Sequence, residues 1–430
     1  MKFTSLGQVR RSRRLALSTL ALGGALALIL TGCSTTTSSG GGGGSAELSD
    51  ETTTITPENV DQEQFAATIR KAFLTDVPVS DLDPIVADAL AVASEPLSDE
   101  NQALFEECLR QPVCETGHGS LKVGIPIFVT ANAYTNVNRA ETTAQLLAYP
   151  EVSEIHYSIS NGDIAASISN VQSLITQGVD VIIVDLALGG AMNSALQEAA
   201  DAGITIVNVN TPVSEDTSTL LTTDFPTGLC QTYTNGVEAL TSSITEPSTY
   251  MLFTGIAGND NAGAWQPCAR EAFNAAGWTE LPGGFTNWNS QGEAQAANAL
   301  RASGQVPGAI VYDFSADRLV QPFIDAGETP PAVISGVSTY AWLTTVQNAQ
   351  DAGVQLDSWV SNGHVWFGRL AVTAAMQLAH GEDVPAEVTI DLPMAPTSDI
   401  LETDWQDIPA DAIISSLLTN DQISQALAAN

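Results

Sequence analysis

Asn, Asp, Ser, Thr, Tyr and Trp recur just after apolar, β-branched runs in this 430-residue chain. They are Asn132 and Tyr134, Asp185, Asn210 and Thr211, Thr223 and Asp224, the stretch Ile256 to Asn261, Trp288, Tyr312 and Asp313, Ser338 and Tyr340, and Asn362. Amide and carboxylate side chains supply paired donors and acceptors for hydroxyl groups, while Tyr and Trp present flat apolar faces with a polar tip. The chemistry of such a set is noncovalent: hydrogen bonding of hydroxyls, and stacking of a C–H face on a ring. A sugar or polyol needs both. The same residue types at strand ends also cap the helices that follow, so for any one of them capping and ligand contact are equal readings. Their recurrence at corresponding places favours a shared ligand.

Motifs for other chemistry are missing. There is no G-x-x-x-x-G-K-S/T, no H-E-x-x-H, no G-x-S-x-G, and no G-x-G-x-x-G after a strand. Zinc is disfavoured, because no C-x-x-C occurs and His118, His156, His364 and His380 stand singly. Neither a metal nor a cofactor is expected. Carboxylates are plentiful, so a glycosidase pair at ~5–10 Å stays open. Arginine is sparse, which disfavours a phosphate or several carboxylates on the ligand. Arg139 and Arg270 are left to meet a single anion or a hydroxyl.

The elements that must position these residues begin at Leu121. Strands are expected at Leu121–Val129, Glu154–Ile159, Val179–Leu186, Ile204–Asn210 and Leu220–Thr223. A second series runs Thr249–Thr254, Phe285–Asn289, Ala309–Phe314, Ala332–Val337 and Ser358–Val360. Amphipathic helices lie between them at Ile164–Thr176, Gly190–Ala202, Cys230–Ser242, Gln291–Ala302, Arg318–Ala326 and Phe367–His380. Alternation of strand and helix argues for parallel sheets covered on both faces, an α/β fold. Ten strands suit two five-stranded doubly wound lobes, with a (β/α)8 barrel as the competing topology. In doubly wound sheets ligands sit outside the carboxyl ends of the strands, where the polar set stands. Residues 55–118 read differently, as helices only: Glu63–Phe73, Leu82–Ser94 and Ser98–Arg110, punctuated by Pro57, Pro84 and Pro96.

Hydrophobic residues make up 44% of the chain and charged residues 15%, enough for large cores. The formal charge is −35; all 49 acids lie beyond residue 32, whereas five of the 14 basic residues lie before it. So acidic a body repels phosphate backbones, which excludes nucleic acid as a partner. Arg10 to Arg14 form a basic segment, and Leu15 to Leu30 an apolar run shorter than the ~20 residues of a span. It ends in Leu30-Thr31-Gly32-Cys33, which resembles the lipobox of bacterial lipoproteins. That resemblance implies a signal peptide over 1–32 and a lipid anchor on Cys33; an uncleaved signal anchor is the alternative. Ser12-Arg13-Arg14-Leu15 also resembles a twin-arginine export motif. Residues 33–54, with Gly40 to Gly44 unbroken, are a tether of roughly 25 Å mean reach. Cys108, Cys114, Cys230 and Cys268 remain, an even count that outside the cytosol favours disulfides, with three connectivities open and four free thiols as the alternative.

Residues 121–395 resemble the solute-binding lipoproteins of bacterial ABC importers, of the ribose- and galactose-binding type. The resemblance rests on Val123-Gly124-Ile125-Pro126 with Asn132-Ala133-Tyr134, and on Leu174 to Ile183, which reads LITQGVDVII. Ala200-Asp201-Ala202-Gly203-Ile204 leading to Val207-Asn208-Val209-Asn210 follows, and then Gly255-Ile256-Ala257-Gly258 leading to Phe273. It implies a periplasmic-binding-protein-like fold with a hinge crossed near 222–226, 359–364 and 389–393. Lobe 1 then comprises 119–223 with 363–390, lobe 2 comprises 224–362 with 391–400, and 401–430 form a helical tail. The family's binding positions fall on Asn132, Tyr134, Asp185, Asn210, Thr223, Trp265, Trp288, Asp313, Ser338 and Asn362. The prefix resembles a longer subgroup with cysteine pairs placed like Cys108–Cys114 and Cys230–Cys268. Three departures point away from ribose itself. Asn210-Thr211 stands for Asp-Arg, Ala269 for an Arg (with Arg270 one residue off), and Ser338 for an Asp. Regulators of this fold carry an N-terminal DNA-binding segment, where this chain has its lipobox.

The expected protein is a monomeric, non-enzymatic, extracytoplasmic binder held at the cell membrane, which passes a sugar or polyol to an ABC permease. Two alternatives stand beside it: a binder of nucleosides or another small polar metabolite, and a surface glycosidase or esterase.

Overall fold

The computed structural model describes residues 55–128, 132–401 and 408–429. The signal peptide, Cys33, the tether, Val129 and residues 402–407 lie outside the described residues. No helix among those described is long and apolar enough to cross a membrane.

Strands in chain order are β1 (Val113–Glu115), β2 (Leu121–Ile127), β3 (Val152–Ile159), β4 (Val181–Val184), β5 (Thr205–Asn210) and β6 (Thr223–Pro226). Then come β7 (Thr249–Thr254), β8 (Thr279–Glu280), β9 (Gly284–Phe285), β10 (Ala309–Tyr312), β11 (Ala332–Ser335), β12 (Ser358–Ser361) and β13 (Met394–Pro396). They form two sheets, ordered β1-β3-β2-β4-β5-β6 and β13-β12-β11-β10-β7-β8, with β9 beside β7. All pairs are parallel except β1 with β3 and β12 with β13. The two doubly wound lobes are present, but with six and seven strands rather than five each. The extra strands are two- or three-residue edge pieces, too short to show alternation. One of them, β1, lies in the stretch expected to be helices only.

The prefix helices form where expected, because each has a polar start. Asp61 caps Gln62–Phe73, Asp83 caps Pro84–Ser94, and Ser98 caps Asp99–Cys108. Pro84 at the first helical position explains why Leu82 and Asp83 stay outside the helix. Phe65, Ile69, Leu90 and Phe105 share a core with Val137, Leu146, Phe367 and Leu370, so the prefix is a layer of the first lobe. Helix Phe367–Ala379, apolar on nearly every side, is wedged between prefix and sheet. Among the described residues of the expected helical tail, only Asn420–Ala428 is an α-helix. Before it, the backbone at Ala412 and Ile414 bonds Tyr340 and Ser338 of the second lobe.

The strand expected at Leu220–Thr223 runs instead Thr223–Pro226, which places residues 224–226 in the first sheet rather than in lobe 2. A buried aspartate disguised it. Asp224 accepts from Asn208 Nδ2 at 2.8 Å, and burial pushes its pKa up to about 6. The chain then crosses between lobes at 227–228, after Ser361, and between Ile390 and Met394. Two crossings run side by side, with Thr227 bridged to Ile390 and Gly228 N donating to Ile390 O at 2.9 Å. A Cβ on Gly228 would collide with the Asp391 carboxylate, so only glycine lets them pass this closely.

Candidate functional site

A cleft of about 1180 Å³, its open mouth included, lies between the carboxyl ends of the two sheets. Seven of the ten residues expected at the site line it: Asn132, Tyr134, Asp185 and Asn210 from the first lobe, and Trp265, Trp288 and Asp313 from the second. Across its rim Asp260 joins the lobes, accepting from Gly189 N at 2.8 Å and donating its own N–H to Ala187 O at 3.0 Å.

On the first-lobe wall Asp185 follows β4 and Asn210 ends β5. Asp185 takes Asn210 Nδ2 at 2.8 Å and Thr211 Oγ1 at 2.5 Å, while burial raises its pKa. Asn210 also accepts from Thr227 Oγ1 at 3.2 Å and has a left-handed φ of 68°, a conformation Asn tolerates. Asn132 caps helix Ala133–Leu147, with Oδ1 accepting from Thr135 N at 2.9 Å. Tyr134 meets His364 edge-on at 5.0 Å between centroids, and its buried hydroxyl has no partner. Burial raises the tyrosine pKa and lowers that of His364 to about 3, so the imidazole is neutral.

The second-lobe wall is built around Asp313, after β10. Its carboxylate accepts from Thr254 Oγ1 at 2.5 Å, Trp265 Nε1 at 3.2 Å and Trp288 Nε1 at 2.9 Å. Desolvation lifts its pKa to about 6 against these bonds. Trp288 has a left-handed φ of 47°, uncommon for a bulky residue, and so does Asn287 at 54°. Thr286 Oγ1 accepts from Trp288 N at 3.2 Å, and the indole lies so close over Gly255 that a Cβ there would overlap it. Trp265 is wholly buried, stacked on Tyr233 at 4.5 Å. Asn261, in the first turn of helix Asp260–Ala275, lines the same wall with Oδ1 buried and unpartnered.

Three expected site residues are elsewhere. Thr223 begins its strand instead of ending it and donates to Pro385 O at 2.7 Å; Thr227 occupies the carboxyl end. Because β11 stops at Ser335, Gly336 and Val337 reach the cleft, and Ser338 donates to Asn362 O at 3.2 Å. Asn362 turns its amide to the prefix, donating to Ala72 O at 2.6 Å alongside Trp366 Nε1 at 3.1 Å. Ser361 and His364 line the cleft in its place. His364, which stands singly in the sequence and is not among the expected site residues, sits three residues past the end of β12. Arg270 is paired with Glu280 at 2.8 Å away from the cleft, whereas Arg139 lines it.

Both disulfides form as expected, with Cα separations of 4.9 Å for Cys108–Cys114 and 5.4 Å for Cys230–Cys268. Among the described residues no cluster of three or more potential metal ligands occurs.

The periplasmic binding protein domain matches residues 123–383. Among solved structures, the chain is similar to the periplasmic component of the arabinose ABC transporter from Shewanella sp. ANA-3, bound to L-arabinofuranose. The identity is 16%, over 65% of this chain and 93% of that one, with a TM-score of 0.58. A solute-binding protein from Bacillus halodurans C-125 with myo-inositol is 18% identical, over 66% and 97%, with a TM-score of 0.57. One from Mycobacterium smegmatis with glycerol is 20% identical, over 66% and 96%, with a TM-score of 0.55. At these identities the likeness establishes the fold. No curated protein matches the chain.

Proposed function

The chain belongs to the periplasmic binding protein family, and from that premise we propose that it captures a sugar or polyol between its lobes and delivers it to an ABC permease. One observation carries the reading. Tyr134 Oη and Asn261 Oδ1 are buried at the cleft without partners, on facing walls of which the second also presents the indole of Trp288. Buried polar groups are costly unless bonded, and hydroxyls of a ring-shaped ligand supply both the missing donor and the missing acceptor. The three structures similar in fold hold L-arabinofuranose, myo-inositol and glycerol, which supports a polyhydroxyl ligand here.

In this reading the protein is not an enzyme. Asp185 and Asp313, the two carboxylates that line the cleft among the described residues, are each engaged by two or three donors of their own wall. It works outside the cytoplasm, held at the membrane through lipidated Cys33, as a monomer. Asn132, Tyr134, Asp185, Asn210, Trp265, Trp288 and Asp313 are the proposed site, Trp265 acting from beneath it.

A thermal-shift screen of aldoses, polyols and nucleosides tests the ligand class. A ligand at 1,000 times its Kd adds about 4 kcal/mol of stability. A shift with sugars or polyols supports the reading, and a shift with nucleosides alone replaces it. Turnover of chromogenic glycosides or esters would favour an enzyme instead.

A further inference from the structure

Arg139 stands on the cleft-facing side of helix Ala133–Leu147, seven residues and two turns beyond the capping Asn132. In so acidic a chain its situation is unusual. Arg70, Arg110, Lys122, Arg270, Arg301, Arg318 and Arg369 all reach a carboxylate within 4 Å; among the described residues Arg139 reaches none, a situation shared by Lys71, which donates to Leu418 O. Instead its guanidinium donates through Nη2 to Leu109 O at 2.8 Å and Cys108 O at 3.3 Å, and lies 4.1 Å from the Tyr157 ring centroid. Its Nε is buried without a partner. Cys108 is bonded to Cys114, which lies in β1, the prefix strand that joins the first sheet.

We propose that Arg139 donates Nε–H to a hydroxyl or ring oxygen of the ligand, and that the disulfide loop Cys108–Cys114 sets its position, making the prefix an outer part of the binding site. The proposal rests on the polyhydroxyl-ligand reading above. An arginine held by two carbonyls and a ring has one rotamer, so its Nε–H is aimed in advance. Loosening the loop frees the guanidinium to swing towards water or an acid, and the ligand loses a charge-assisted bond.

The test is calorimetric titration of wild type, Arg139→Met, Arg139→Lys and the Cys108→Ala/Cys114→Ala pair. The probes are L-arabinose, D-galactose and myo-inositol, each with monodeoxy counterparts. Arg139→Met should weaken the tightest probe at least ~10-fold, as for a hydrogen bond to a charged group. One monodeoxy probe should lose affinity for wild type yet lose none further for Arg139→Met. The cysteine pair variant should bind about threefold or more weaker. If Arg139→Met does not fold, Arg139→Lys, which keeps the charge and the stem, carries the same expectation. Wild-type affinity in the arginine variants overturns the contact. Wild-type affinity in the cysteine variant, beside a loss in Arg139→Met, overturns the part assigned to the loop. Failure of wild type itself to bind any probe overturns the polyhydroxyl reading beneath both.

Discussion

The two walls of the cleft are built on opposite plans. The second-lobe wall is largely paired within itself: one buried carboxylate, Asp313, absorbs two indole N–H groups and a threonine hydroxyl and so holds the rings rigid, while Asn261 Oδ1 is left for a ligand. The first-lobe wall keeps capacity in reserve, with Tyr134 Oη and Arg139 Nε buried and unpaired. A preformed apolar platform costs no ordering on binding, whereas unpaired polar groups discriminate strongly between ligands that do and do not satisfy them. The comparison implies that the second lobe supplies most of the surface and the first, with Tyr134 and Arg139, most of the selectivity. Damage to the second wall should therefore reach stability, and damage to the first should reach affinity alone.

The largest expected effect is on the far side of the second wall, where Cys230–Cys268 joins helix Leu229–Ser243 to the helix carrying Trp265. Closing 38 residues stabilises by about 4 kcal/mol in the chain-entropy model. Cys230→Ala/Cys268→Ala should lose up to that in urea unfolding, while calorimetry finds affinity changed less than ~2-fold. A matching loss of affinity would show that the platform is not rigid in itself.

Asp313→Ala comes next, leaving three donors unpaired. Apo stability should fall by roughly 2–3 kcal/mol and binding by a comparable amount; unchanged unfolding would remove Asp313 from its organising place. The same residue gives the walls a pH signature. Its folded pKa of about 6 lies above the ordinary 3.8, so the folded state takes up a proton as pH falls from 7 towards 5 and gains stability over that window. Asp224 and Glu293, both raised to about 6, act in the same sense. His364, lowered from 6.5 to about 3, acts in the opposite sense, so the three carboxylates together should leave a net rise of the apo melting temperature between pH 7 and 5, smaller in Asp313→Asn. A flat profile contradicts the buried charge.

Trp288→Ala should weaken binding by roughly 1–3 kcal/mol. The ring is only 9% exposed and covers Gly255, so apo stability should fall too, unlike that of a ring standing open in a cleft. Affinity loss without any stability loss would mean that the indole stands free. Tyr134→Phe is the smallest change: about 1 kcal/mol of affinity, with apo unfolding unchanged or slightly more stable, since an unpaired hydroxyl has been removed. Unaltered affinity for every hydroxylated probe would take the selectivity away from this wall.

How much of this was legible in the sequence follows from where each signal resides. Buried parallel strands are continuous apolar runs, so their positions stood out, and with them Asp185, Asn210 and Asp313 at their ends. What failed was the last few residues of each run. Polar Thr223 and Asp224 looked like the end of a strand that in fact begins there, an overlong ending at β11 put forward Ser338, and Asn362, directly after β12, turns to the prefix. Asn362 could not be placed from its own neighbourhood, because its partner Ala72 lies 290 residues away in the prefix. Trp265 sits mid-helix with no strand-end signal and came from family resemblance alone. The unpaired groups at Tyr134 and Asn261 are a property of packing, and no spacing encodes them.

The most direct test of two complementary walls is a crystal structure of the protein with the sugar or polyol that raises its melting temperature most. The account predicts the ligand's C–H face against Trp288, with ligand oxygens within hydrogen-bond distance of Tyr134 Oη and Asn261 Oδ1. A ligand bound outside the cleft, or one leaving both atoms unpaired, would contradict it.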